Sequence, residues 1–252
     1  MTPMTSLAGL RVKIFADSAD RARMLELSAK PYVRGLTTNP TLLRRAGVTD
    51  YRAFARDILS AITAKPVCFE VLADDFTEME RQALEIASWG ENVYVKIPVT
   101  NTRRASSVPL IKRLAQRAVK LNVTAVMTLE QLSEILPALN PATPSFVSVF
   151  AGRIADTGID PLPLMARAAE MLKTTNGNSE LVWASSRELL NIFQANAVGC
   201  HVITVTPELL AKLAMVGKDL DDLSLETVRM FRQDAVNAGY SIETSKPRRT
   251  AA

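Results

Sequence analysis

A single histidine, His201, and two cysteines, Cys68 and Cys200, are too few to furnish a transition-metal ligand set, and two isolated cysteines make no disulfide framework. A histidine-based catalytic triad would have to rest on His201 alone. Each cysteine sits in an apolar run, where a buried thiol is the ordinary explanation. No apolar run reaches about 18 residues and no signal-peptide core is present, so the expectation is a cytoplasmic protein with no membrane partner. Charge of one sign is also scarce: 30 Lys and Arg against 26 Asp and Glu leave +4 at pH 7, part of it in Ser245-Lys246-Pro247-Arg248-Arg249. That field is weak and has no aromatics interleaved with it, which argues against a nucleic-acid partner. No Gly-x-Gly-x-x-Gly follows the first β-type run, so a doubly wound dinucleotide-binding sheet lacks its phosphate loop. Neither a domain linker nor an internal repeat breaks the chain.

What is present is regular alternation. The 252 residues are 48% hydrophobic, enough for a packed core. Eight short β-branched or aromatic runs appear: Arg11 to Ala16, Val33 to Thr38, Lys65 to Leu72, Asn92 to Ile97, Asn122 to Met127, Ser145 to Phe150, Leu181 to Ala184 and His201 to Val205. Helical patterns separate them, such as Asp50 to Thr63 with Phe54, Ile58, Ala61 and Ile62, and Phe76 to Ser88 with Met79, Ala83 and Ile86. This is the pattern of a single α/β domain, a (β/α)8 TIM barrel of parallel strands, whose usual length is about 250 residues. The expected domain runs over residues 1–243, and the composition of residues 244–252 predicts a disordered basic tail.

One strand carries an anomaly. In Asn92-Val93-Tyr94-Val95-Lys96-Ile97-Pro98-Val99 a lysine stands in an otherwise buried run. A strand-end lysine can snorkel into water, but a buried one is costly unless used. Desolvation is expected to pull its pKa down from about 10.4 toward neutrality, giving an amine able to form a Schiff base. The other runs also end in reactive side chains. Asp17 ends the first, Thr37-Thr38-Asn39-Pro40 the second, and Glu70 lies in the third. Asn122 and Thr124 lie in the fifth, Ser148 then Arg153 at the sixth, and Ser185 then Arg187 at the seventh. In a (β/α)8 barrel these strand ends form the catalytic face. Taken singly, Asp17 could cap a helix and Asn39 could shape the turn before Pro40.

The segments Gly35-Leu36-Thr37-Thr38-Asn39-Pro40-Thr41, Val93-Tyr94-Val95-Lys96-Ile97-Pro98-Val99-Thr100, Asn122-Val123-Thr124, Ser148-Val149-Phe150-Ala151-Gly152-Arg153 and Ala184-Ser185-Ser186-Arg187 resemble the signatures of the transaldolase family in order and spacing. The likeness runs from about Val12 to Leu210, and is to the short branch that also holds fructose-6-phosphate aldolase. It implies a class I Schiff-base enzyme acting on sugar phosphates with no metal and no cofactor, commonly as a ring-shaped homo-oligomer. By position it implies Lys96 as the Schiff-base lysine and Asp17 as the base for the substrate C4 hydroxyl. Glu70 and Thr124 match the pair that handles water and protons during imine formation. Asn39, Asn122 and Ser148 match the residues at the dihydroxyacetone end, with Thr37 supporting Asn39, and Arg153, Ser185 and Arg187 match the phosphate site. The chemistry agrees. Cleaving a carbon-carbon bond beside a ketone needs an electron sink and a base, and two guanidinium forks suit a phosphate dianion.

Within this branch the resemblance implies that aldolases carry Gln and Tyr where transaldolases carry Glu and Phe. Here the residues are Glu70 and Phe150, which favours transfer to an acceptor over release of dihydroxyacetone. The alternatives are an aldolase of that type, or transfer on a related anionic sugar such as a sulfonated one. Val149, Ala151 and Asp156 depart from the pattern, where the family has Pro, Val and an aspartate closer behind the arginine. Arg103 and Arg104, after the lysine strand, are expected to be solvated. A catalytically silent sugar-phosphate binder is disfavoured by the complete Asp17, Glu70 and Lys96 set.

Overall fold

The structure, a computed structural model, describes residues 9–174 and 177–244. In chain order its elements are β1 (Lys13–Asp17), α1 (Arg21–Ser28), β2 (Val33–Thr37), α2 (Pro40–Arg45), α3 (Tyr51–Ala61), β3 (Val67–Glu70), α4 (Phe76–Ala87), β4 (Val93–Pro98), α5 (Val108–Gln116), β5 (Leu121–Val126) and α6 (Leu129–Ile135). Then come β6 (Ser145–Val149), α7 (Ala151–Ala155), α8 (Leu162–Thr174), β7 (Ser179–Trp183), α9 (Leu190–Ala197), β8 (Val202–Val205), α10 (Pro207–Ala211) and α11 (Leu220–Asn237). The strands pair in order β1 through β8, every pair parallel, and β8 closes on β1. The protein is therefore a (β/α)8 barrel, as the alternation predicts, and the strand ends differ from the expected runs by at most two residues.

Short polar residues start the first four helices. Asp20, Asn39, Asp50 and Asp75 cap α1, α2, α3 and α4, each accepting a backbone N–H from the first turn. Asp20, not Asp17, caps α1, which leaves Asp17 free for the barrel mouth. On α4 the buried residues are Met79, Ala83 and Ile86, the helical stripe read from the sequence. On α3 they are Ala55, Ile58 and Leu59.

Alternation along the strands divides the core in two. Outward residues such as Leu36, Phe69, Val95 and Val123 join the helices in the main core. Inward residues Phe15, Cys68, Phe146, Val182, Ala184 and Val202 form a separate cluster, with Tyr94 and Phe150 packed on it. Phe15 meets Phe146 edge-on at 5.3 Å and Tyr94 lies 4.4 Å from the same ring. Gly35 makes room for this plug, since a Cβ there would stand 2.5 Å from the Phe15 ring.

The chain divides into two compact units, one through Leu213 that holds the barrel and one from Ala214 that holds α11. In α11 no residue is buried, and Leu225, Val228, Met230, Phe231 and Val236 are exposed. The basic tail expected over residues 244–252 lies, Thr244 aside, outside the described residues. Among the described residues no helix is long and apolar enough to cross a membrane.

Candidate active site

At the C-terminal ends of the strands a cavity of about 480 Å³ opens, lined by Asp17, Thr37, Asn39, Glu70, Lys96, Asn122, Thr124, Ser148, Phe150, Arg153, Ser185 and Arg187, the residues that the resemblance marks for catalysis and binding. The strand register explains the convergence. Asp17 lies beside Thr37 across β1 and β2, Glu70 beside Lys96 across β3 and β4, and Lys96 beside Asn122 across β4 and β5.

Lys96 does not snorkel, being only 6% exposed. Its Nζ stands 3.1 Å from Glu70 Oε2 and donates to the Thr38 carbonyl oxygen at 2.8 Å. This environment corrects the expected pKa. Burial does pull the ammonium down, but the Glu70 and Asp17 carboxylates together outweigh it, so the lysine is raised above its ordinary value. The resting group is an ammonium held between anions, and becomes a nucleophile only by passing its proton on.

Asp17 is shifted the opposite way for a carboxylate seeking a cation. Burial is the largest influence and raises it to about 6, against the lowering by Lys96 and with a further push from Glu70. Its Oδ1 is buried with no hydrogen-bond partner. A carboxyl poised near neutrality is suited to giving and taking a proton.

Beside Lys96, the Ser148 hydroxyl donates to Asn122 Oδ1 at 2.7 Å, so the two side chains form one polar wall. Below them the Cys68 thiol is pushed up to about 11 by burial, which makes it inert. Both cysteines are free and buried. Thr124 is aimed by an irregularity: the β5–β6 register shifts between Val123 and Val126, and Ala125 takes a left-handed φ of 62°. Its Oγ1 is buried without a partner.

Phe150, Arg153, Ser185 and Arg187 form the opposite side. The Arg153 guanidinium lies 5.8 Å from the centre of the Phe150 ring. Gly152 lets α7 press against the turn after β7, where a Cβ would fall 1.6 Å from the Ser185 carbonyl oxygen. Ser185 itself has φ 65°, and its N–H donates to Thr204 Oγ1 at 3.2 Å while Ser186 Oγ donates to the Thr204 carbonyl. Arg187 Nε donates to both Asp156 oxygens, at 2.9 and 3.1 Å, and this pairing holds the Asp156 carboxyl below the usual range. Asp156, whose spacing behind Arg153 departs from the family pattern, thus orients Arg187.

Asn39 does both things its sequence position allowed: its Oδ1 caps α2 by accepting from Leu42 N at 3.0 Å, and the residue lines the cavity. Arg103 and Arg104 are exposed and outside the cavity, as expected, with Arg103 3.5 Å from Asp74. Sequence reasoning missed Arg45, Ser186, Thr204 and Thr206, which also line the cavity. The alternation Val202, Thr204, Thr206, which runs along β8 and one residue past its end, was the available signal for the last two.

Comparison with known proteins identifies the family. Residues 14–242 match the family described as Transaldolase/Fructose-6-phosphate aldolase. The chain belongs to that family. Among its relatives, the "Probable transaldolase" of Dehalococcoides mccartyi is 33% identical over 202 residues, 80% of this chain and 90% of the relative. That of Thermoanaerobacter sp. is 31% identical over 231 residues, 92% of this chain and all of the relative. The protein of the same name in Herpetosiphon aurantiacus is 33% identical over 227 residues, 90% of this chain and 97% of its own.

Proposed function

We propose that this protein transfers a dihydroxyacetone unit from a ketose phosphate, fructose 6-phosphate or sedoheptulose 7-phosphate, to an aldose phosphate through a Schiff base on Lys96. The observation that carries this reading is the buried Lys96 amine, 3.1 Å from Glu70 and facing Asp17 in the barrel mouth. When a ketose enters, Lys96 passes its proton to a neighbouring carboxylate and attacks the C2 carbonyl. Glu70 and Thr124 handle the protons as the carbinolamine loses water to the iminium. The iminium accepts the electron pair as the C3–C4 bond breaks, and Asp17 takes the C4 hydroxyl proton, so an aldehyde leaves and an enamine remains. The acceptor aldehyde then reverses these steps. The Ser148 and Asn122 wall faces the dihydroxyacetone end, and Arg153 with Arg187 receives the phosphate.

Transfer is favoured over release because an enamine carbon must be protonated to free dihydroxyacetone. Among the described residues lining the cavity there is no tyrosine, and Phe150 offers no acidic proton. We place the enzyme in the cytoplasm, working on free sugar phosphates without a cofactor, nucleic acid or membrane. The exposed apolar side chains of α11 support a homo-oligomer.

Product partitioning tests the reading. Fructose 6-phosphate is expected to be consumed rapidly only with an acceptor such as erythrose 4-phosphate, giving sedoheptulose 7-phosphate and glyceraldehyde 3-phosphate. Borohydride should trap the substrate on the peptide containing Lys96. Fast release of dihydroxyacetone without acceptor would make the enzyme an aldolase, and absence of the adduct would remove the Schiff base.

A further inference from the structure

The rung pattern between β2 and β3 contains a substitution. Leu36 N donates to the Pro66 carbonyl at 2.9 Å, and Thr38 N donates to the Cys68 carbonyl at 3.3 Å. In an evenly spaced parallel ladder the next rung runs from Glu70 N to the Thr38 carbonyl. That rung is missing. Glu70 N instead donates to the Tyr51 hydroxyl at 2.8 Å, and the same hydroxyl donates to the Glu70 carbonyl at 3.1 Å. The Thr38 carbonyl, released from the ladder, accepts from Lys96 Nζ at 2.8 Å.

Packing accounts for the Tyr51 ring but not for its oxygen. The ring meets Phe69 at 6.1 Å and Trp89 at 5.6 Å, both edge-on, and a phenylalanine would fill that space. The hydroxyl is buried in this aromatic nest, which raises its pKa and keeps it a neutral donor and acceptor. It satisfies both backbone polar groups of Glu70, whose carboxylate stands 3.1 Å from Lys96 Nζ. Its place is set by α3, whose first residue is Tyr51 and whose start is fixed by the Asp50 cap to Ala53 N at 2.9 Å.

We infer that Tyr51 is a positioning residue of the site: its hydroxyl takes the place of a ladder partner for Glu70, so that the Thr38 carbonyl is free to hold the Lys96 side chain beside the Glu70 carboxylate. The inference rests on the Lys96 chemistry proposed above. Without the hydroxyl, the Glu70 N–H competes with Lys96 for the Thr38 carbonyl, and both side chains shift. The ionisable groups that then act on Lys96 are Glu70 and Cys68 of β3 and Asp17 of β1.

The test compares wild type, Tyr51→Phe and Trp89→Phe. The first measurement is the pH dependence of Lys96 modification by a small acylating reagent, read by mass spectrometry on the folded protein without substrate. In Tyr51→Phe the ammonium loses an acceptor, so the midpoint should move down by about half a unit, roughly a threefold change in the amine-to-ammonium ratio. The second is the single-turnover rate of borohydride-trappable adduct, expected to fall on the order of tenfold for a misplaced pair. Trp89→Phe disturbs the same aromatic packing but keeps the hydroxyl, and should lower thermal stability while leaving both readouts near wild type. A wild-type modification profile in Tyr51→Phe would overturn the inference, as would an equal shift in Trp89→Phe. Because the modification profile needs no substrate, it judges Tyr51 even where a missing substrate adduct removes the Schiff-base reading.

Discussion

On β1 the inward side chains run from Phe15 to Asp17, on β3 from Cys68 to Glu70, on β4 from Tyr94 to Lys96 and on β6 from Phe146 to Ser148. Two residues, about 6.6 Å along a strand, separate an aromatic plug from a charged mouth. The lower layer is filled and apolar, and its residues do what core residues do. The upper layer holds the ionisable groups of Asp17 on β1, Glu70 on β3 and Lys96 on β4, with buried hydroxyl residues among them such as Thr37, Thr124 and Ser148. The contrast teaches that the plug is part of the chemistry. A dry floor beneath Asp17 is a reason its carboxyl rises to about 6, and the same dryness strengthens the hold of Glu70 on Lys96. The division predicts that changes in the mouth act on turnover and changes in the plug act on stability.

The sharpest break in this division comes from Lys96→Ala, which should abolish the trapped adduct and lower turnover by on the order of 10⁴-fold or more. Its melting temperature should not fall as a core deletion would make it fall. Residual turnover near wild type, checked by coupled assay, would place the reacting amine elsewhere.

The next largest effect lies in the plug. Phe146 packs against both Phe15 and Tyr94. Phe146→Ala should cost about 3–5 kcal/mol in denaturant unfolding, while the Lys96 adduct still forms where the variant is folded. Loss of the adduct without loss of stability would show that the two layers are not separable.

Asp17 belongs to both halves of the comparison. Its folded pKa of about 6 lies above the ordinary 3.8, so below about pH 4 the shift leaves stability untouched. As pH rises through 6, ionisation in the fold weighs against the native state by about 3 kcal/mol, from two units at 1.36 kcal/mol each. Asp17→Asn should therefore be more stable than wild type at pH 8 by up to that amount and no more stable at pH 3.5, while its turnover falls by on the order of 10²-fold. Equal melting curves at the two pH values would sink the burial argument. In the wild type the acid limb of kcat/KM should fall near pH 6.

The smallest expected effect is at the rim. Arg153 has no ion-pair partner among the described residues, whereas Arg187 is held by Asp156. Arg153→Ala should reduce use of phosphorylated acceptors by about tenfold, the worth of one charge-assisted contact, and leave unphosphorylated glyceraldehyde nearly unaffected. Equal losses on both acceptors would make the arginine structural.

The amino-acid sequence by itself determined the eight alternating units, the inward-facing positions and the residues at the strand ends. The reason is local. A period of two on a strand decides which face a side chain takes, and the barrel rule decides which end is functional. Asp17, Glu70 and Lys96 were legible on those grounds. Only the tertiary structure decided how they act on one another. Burial alone predicted a lowered lysine, but two carboxylates brought from β1 and β3 reverse the sign. The Asp156 to Arg187 pairing joins residues 31 apart, and Tyr51 reaches Glu70 across 19. The Thr38 carbonyl that holds Lys96 is a backbone group, which every residue carries, so no residue type marks it. Such contacts depend on distances between separate elements, and electrostatic energy follows those distances, not the order of residues along the chain.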